Sequence, residues 1–284
     1  MKFLFLTGNG LGDSVMLTPT LEMVKQLLPD VEIHVATLKR FGSTSAELFD
    51  GLGYKVHPIL SDPWEMPFNQ GLKRIVEEGD DLGNSLGIHN IQLCHTPHGF
   101  QDWRMHKIFR FADYCKVKLY QGCFKPKLVA FDTYFTPIDE NGDIIKYIVV
   151  HVNPGNLSKR LPVHMESHVQ SYCYEKMAEG YTVFEVDGHT IKGAVPLGKP
   201  NMNKVKTLVA KAEEVIAIDS VIMHIAGAFE VPLRTLWTVT PVHQAIPFWM
   251  KEEDLNVYAI NETKTLSHQW KIHREHALKE LKCL

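Results

Sequence analysis

Val215–Pro232 limits what this chain can fold into more than any other stretch. It reads V-I-A-I-D-S-V-I-M-H-I-A-G-A-F-E-V-P. The apolar run Val215–Ile218 predicts a buried parallel strand, because a strand covered on both faces shows no polar alternation. Asp219 and Ser220 follow at once, and both residue types favour a helix N-cap. Val221–Phe229 then predicts an apolar helix rich in small residues, stopped by Val231 and Pro232. Leu233–Trp237 begins another strand. A strand, a cap and a helix in this order aim backbone N–H groups out of a sheet edge, where they favour an anion such as phosphate. His224 falls in or just past the first turn, so its ring can face the same spot. Any α/β protein contains capped junctions, so the stretch gains meaning only from its context.

That context starts at the N-terminus. Lys2–Thr7 predicts a buried strand and Gly8–Asp13 a glycine-rich turn. A helix follows, with Leu21, Val24, Leu27 and Leu28 at helical spacing, and Val31–Thr37 predicts the next strand. This β-α-β order makes the sheet parallel and puts ligands at the carboxyl ends of its strands. Ser43–Leu52 predicts a helix and Lys55–Ile59 a strand. Residues 62–87 are polar, with a helix expected over Leu72–Glu78, and Asn90–Cys94 predicts a strand. His95–Phe111 is an unusual loop, with His95 and His98 at the strand end. Arg104, Lys107 and Arg110 recur every third residue, so on a helix they share about a third of the circumference. They form either a solvated basic face or a cradle for an anionic acceptor. Asn141-Gly142, among acidic residues and Pro137, predicts a linker.

The second half restarts with a strand, Tyr147–Asn153, and a loop that ends Ser158-Lys159-Arg160-Leu161-Pro162. A lysine and an arginine after a Pro-Gly turn suit a diphosphate, one as a point charge and one as a fork. A helix is expected over Val169–Glu179 and a strand over Tyr181–Val186. Asp187, or else Glu185, then stands where an acidic residue commonly holds ribose hydroxyls. Asn203–Ala212 predicts a helix, and Ser267–Leu284 a terminal one.

Three of these stretches together resemble the heptosyltransferase family, the sugar-nucleotide-dependent glycosyltransferases of bacterial lipopolysaccharide synthesis. Gly10–Pro19 reads G-L-G-D-S-V-M-L-T-P, like the family's G-D turn and T-x-P helix. Lys159-Arg160-Leu161-Pro162 resembles its K-x-W-P, with leucine for tryptophan. Asp219, Ser220 and His224 stand in its D-S-G-x-x-H stretch, with Val221 in place of glycine. Thr240-Pro241 lies close to its glycine-proline-threonine turn, with Thr238 where glycine is usual. The resemblance implies two doubly wound Rossmann-like α/β domains facing a cleft, the GT-B architecture. Residues 1–140 would then be the acceptor domain, 141–266 the sugar-nucleotide domain, and 267–284 a helix packing back across the junction. It also implies inversion by a single displacement. Asp13 is the candidate general base, with Gly12, His95, His98, Arg104 and Lys107 around the acceptor. Ser158, Lys159, Arg160, Asp219, Ser220 and His224 would hold the donor diphosphate, and Asp187 and Thr240 its ribose and base. The cationic groups make a metal unnecessary, and the sugar nucleotide is a co-substrate rather than a cofactor.

Composition narrows the partners. The chain has 284 residues, 45% hydrophobic and 22% charged, as in a soluble globular protein. A net charge of −3 gives no overall basic field for nucleic acid. Five dispersed cysteines argue for free thiols in a reducing, cytoplasmic compartment. Phe3–Leu6 is too short for a signal peptide or a membrane span, so no stable membrane insertion is expected. None of the fifteen histidines lies in a metal-ligand spacing. The acceptor is expected to be a saccharide or glycolipid. Phe100 and Trp103 beside basic residues also admit a hydroxymethylated base in DNA, and a non-catalytic sugar-nucleotide-binding protein is a third reading.

Overall fold

The computed structural model describes residues 1–94, 106–119, 123–139, 141–153, 159–238 and 242–259. Among these, one compact unit is centred on Met1–Val129 with His243–Ala245, and the other on Ala130–Val242 with residues 246–259. The Asn141-Gly142 turn lies inside the second unit, with Gly142 at φ 87°. Among the described residues no helix is long and apolar enough to cross a membrane. Cys94, Cys115, Cys123 and Cys173 are free thiols.

The first unit is a parallel sheet with strands β1 (Lys2–Thr7), β2 (Glu32–Leu38), β3 (Lys55–Leu60) and β4 (Asn90–Leu93), in the order β3-β2-β1-β4. Leu4, Phe5, Leu6 and Thr7 are all buried, which is why the strand reads as a continuous apolar run. Helix α1 (Leu11–Leu27) follows β1, capped by the extended backbone of Gly10. Gly12 and Asp13 therefore belong to its first turn and not to the preceding loop. Helix α2 covers Ser43–Phe49.

Helix α3 runs over Phe68–Leu86, much longer than the expected Leu72–Glu78. Its glycines hid it, since glycine is a poor helix former. Here they are packing residues. A Cβ on Gly79 would run into the Leu6 side chain, and one on Gly83 would lie 2.6 Å from Ile91 Cδ1. Gly87, left-handed at φ 64°, ends the helix. Helix α4 (Lys107–Tyr114) begins within the stretch read as a loop, because the His106 imidazole accepts from Ile108 N–H and caps it.

The second unit has a six-stranded parallel sheet, β10-β9-β8-β5-β6-β7. Its strands are β5 (Tyr147–His151), β6 (Thr182–Glu185), β7 (Val195–Pro196), β8 (Glu214–Ile218), β9 (Leu233–Trp237) and β10 (Leu255–Ala259). Helices α5 (Val163–Ala178), α6 (Met202–Ala210) and α7 (Val221–Phe229) accompany them. Helix α5 starts well before the expected Val169, because its first turns carry few buried apolar residues to mark them. Ile148, Val150, Val183, Ile216, Ile218 and Leu236 form the core on one side of the sheet with Val169 and Cys173 of α5.

Both sheets are wound outward in two directions from their first strand. In the first unit the reversal falls between β1 and β4, in the second between β5 and β8. Loops leave in opposite directions there, so the carboxyl edge opens into a crevice that neither helix layer fills.

Helix α7 is fixed from behind. Trp249 Nε1 donates to Gly227 O at 2.8 Å, and a Cβ on Gly227 would lie 2.7 Å from Pro247 Cβ. Gly227→Ala is expected to cost about 1–3 kcal/mol through overpacking, seen as a lower urea midpoint for the second unit.

Candidate active site

The reversal point of the second unit gathers the residues picked out by sequence. Lys159 lies on the loop after β5, and Asp219 and Ser220 lie directly after β8. The Lys159 ammonium donates to Asp219 Oδ2 at 2.6 Å and to the Asp219 carbonyl at 2.9 Å. The Asp219 side chain is 8% exposed and that of Lys159 is 29% exposed. The pair thus ties two loops across the crevice. A lysine has three N–H donors, and two of those of Lys159 go to Asp219. Asp219, expected at the diphosphate, accepts from Lys159 through its Oδ2. His224 sits deeper than the sequence suggested. It is 2% exposed, with Nε2 at 3.9 Å from Asp219 Oδ1. It packs under the carboxylate and does not line the surface.

Ser220 occupies the N-cap position of α7 with an extended backbone, yet its side chain makes no capping hydrogen bond. Its hydroxyl lies 3.0 Å from Nδ1 of His151, the last residue of β5. Sequence reasoning missed His151, because within a run read as strand it passed for a core residue. Burial pushes the His151 imidazole down to about 4, against an upward pull from the Asp187 carboxylate. The ring is neutral through the physiological range.

Asp187 follows β6 in the left-handed region at φ 55°, a conformation aspartate tolerates better than most residues. Its N–H donates to Gly198 O at 2.8 Å, and its carbonyl accepts from Asn153 Nδ2 at 2.7 Å. The backbone is pinned on both sides. Glu185, the alternative to Asp187, is 1% exposed, and its carboxylate accepts from the N–H groups of Thr190 and Ile191 at 2.8 and 3.0 Å. It clamps the loop and leaves Asp187 as the acidic group at this strand end. Nearby, Val152, Val163, Glu166, Thr190 and Ile191 help line an open cavity of about 330 Å³. Arg160 stands apart from the Lys159 cluster, 73% exposed and 3.9 Å from Glu166 Oε1.

In the first unit, Asp13 Oδ1 accepts from the Lys107 ammonium at 2.7 Å, and both side chains are largely covered. Gly12 precedes Asp13 in the same turn. Lys107 was expected on an acceptor-facing basic surface, but it is committed to Asp13. Arg110 is only 8% exposed. The described part of the basic repeat is therefore not an open basic face, which removes the main support for a DNA acceptor. His95, His98, Phe100, Trp103, Arg104, Ser158, Thr240 and the expected helix 267–284 lie outside the described residues.

Comparison with known proteins agrees with this picture. Residues 172–276 match the model of glycosyltransferase family 9 (heptosyltransferase). Sequence comparison with curated proteins finds no match. Among solved structures, the E. coli ADP-heptose lps heptosyltransferase II aligns with TM-score 0.66 at 15% identity, over 100% of this chain and 98% of that one. A glycosyl transferase family 9 protein from Veillonella parvula aligns at 0.64 and 12%, over 98% and 97%. The E. coli heptosyltransferase WaaC with ADP aligns at 0.60 and 14%, over 98% and 100%. The resemblance to heptosyltransferases is thus borne out by a family match in the second half and by the fold along the whole chain. Two α/β units with parallel sheets give it the GT-B class of architecture.

The buried His151 has a consequence for stability. An unfolded histidine titrates near 6.5, so between about pH 6.5 and 4 the unfolded chain takes up a proton that the folded one refuses. Stability is expected to be fully present above pH 6.5 and to fall toward pH 4, by about 3 kcal/mol for this group. His57, lowered by burial and then by His34 and Lys55, acts in the same direction. Urea midpoints at pH 7 and 4.5 check this, and His151→Asn should lose less than the wild type.

Proposed function

We propose that this glycosyltransferase moves a sugar from a nucleoside-diphosphate sugar to an acceptor hydroxyl, with inversion and without a bound metal. One observation carries the reading: a lysine held on a buried aspartate beside the open N-terminus of α7, at the reversal point of the unit that bears the family match. Departure of a diphosphate builds negative charge on its bridging oxygen. The third N–H of Lys159 and the first amides of α7 meet that charge, already oriented and partly shielded from water. Asp219 holds Lys159, and His224 supports Asp219. Arg160 reaches the outer phosphate by leaving Glu166, and Ser158 is a further candidate partner of the diphosphate. Asp187 binds the ribose hydroxyls, and the nearby cavity and Thr240 receive the base.

Asp13 takes the proton of the acceptor hydroxyl as its oxygen attacks the anomeric carbon. The bond to the diphosphate breaks on the opposite face, and the electron pair leaves with the nucleoside diphosphate. Lys107 fixes the Asp13 carboxylate for this task. Gly12, His95, His98 and Arg104 contact the acceptor, a saccharide or glycolipid. The solved relatives hold ADP and an ADP-heptose analogue, so ADP is the first nucleotide to test.

Asp13→Asn should keep the fold and donor affinity and lower turnover by roughly a hundredfold or more, the usual contribution of a general base. A variant that turned over like the wild type would exclude Asp13.

For the donor, Lys159→Ala should weaken ADP about ten- to a hundredfold and leave adenosine unchanged, since one charge-assisted hydrogen bond is lost. Asp187→Asn, which keeps the left-handed backbone, should weaken both ligands. Calorimetric titration of each variant decides it. Unchanged ADP binding by Lys159→Ala would remove the lysine from the diphosphate site.

A further inference from the structure

Ser220 holds the N-cap position of a nine-residue helix. A serine there ordinarily turns its hydroxyl back to accept from the second or third helical N–H, which here belong to Ile222 and Met223. Ser220 makes no such bond. Its hydroxyl goes to His151 Nδ1, 3.0 Å away on the neighbouring strand. The imidazole is 8% exposed. It is a rigid ring at the end of a central strand, so the site it offers the hydroxyl is fixed.

A self-capped helix and an anion-binding helix compete for the same amides. Every hydrogen bond that Ser220 made to them would have to be broken before a phosphate oxygen could take its place.

We propose that His151 is a positioning residue of the donor site, which holds the Ser220 hydroxyl away from the first turn of α7 and so keeps the amides of Ile222 and Met223 open for the diphosphate. The inference rests on the reading of this turn as the diphosphate site, and it assigns His151 no contact with substrate.

The experiment is a double-mutant cycle read by calorimetric titration with ADP, combined with amide hydrogen exchange of Ile222 and Met223. His151→Leu frees the hydroxyl to cap. It should weaken ADP about tenfold, the scale of one N-cap interaction, and should slow exchange at one or both amides in the ligand-free protein. His151→Asn, whose side-chain amide can still bond Ser220, should restore most of the affinity. In a Ser220→Ala background, His151→Leu should have no further effect, because no hydroxyl is left to release.

Equal losses in both backgrounds, or unchanged exchange in His151→Leu, would overturn the proposal even if ADP still bound at Lys159. If His151→Leu does not fold, the exchange rates of His151→Asn and of the wild type should agree, and faster or slower exchange in His151→Asn with ADP binding unchanged would overturn it. Failure of the wild type to bind ADP, UDP, GDP and CDP alike would instead overturn the donor reading itself, and with it the role of His151.

Discussion

The contact between Lys159 and Asp219 governs the second unit's candidate site. It joins the loop after β5 to the turn after β8, on either side of the place where the sheet reverses its winding. Without it, a carboxylate that is 8% exposed would lose its lysine partner in a poorly solvated crevice. Removing one member of such a pair costs far more than exchanging both for apolar residues. The arrangement is thus weak evidence for stability.

Around this contact the unit divides its labour among strand ends. The end of β6 supplies Asp187, held in a left-handed conformation by main-chain bonds to both neighbours. The end of β5 supplies His151 and Asn153. The end of β8 supplies Asp219, Ser220 and the α7 terminus. Glu185 and Gly227 touch none of the proposed chemistry. The first clamps a loop through two amides, and the second lets α7 approach Pro247 closely. Both set positions that the site residues need.

Much of this was legible in the sequence, for identifiable reasons. Continuous apolar runs such as Leu4–Leu6 and Val215–Ile218 marked the central strands, because both faces are covered. Asp219-Ser220 marked the helix start within a residue. What stayed hidden depended on tertiary packing. The glycines of α3 argued against a helix until Leu6 and Ile91 were seen against them. Lys107 read as part of a basic face, solvated or turned to an acceptor, because its partner Asp13 lies far away in the chain. The bond from Lys159 to Asp219 was hidden too, because the two residues lie far apart in the chain. His151 carried no local signal, since its meaning comes from a serine at the N-cap of α7, far away in the chain.

The bonds from Lys159 to Asp219 also fix when the entropy of that side chain is lost. A lysine that met a phosphate only upon binding would surrender about 1.5–2 kcal/mol of rotamer freedom at that moment. Here the chain beyond Cβ is already ordered by two hydrogen bonds in the ligand-free protein. That loss is charged to folding, and the cation waits in a single geometry. In the proposed donor site, the affinity for a diphosphate would then reflect contact strength more fully, because the lysine is already immobilised.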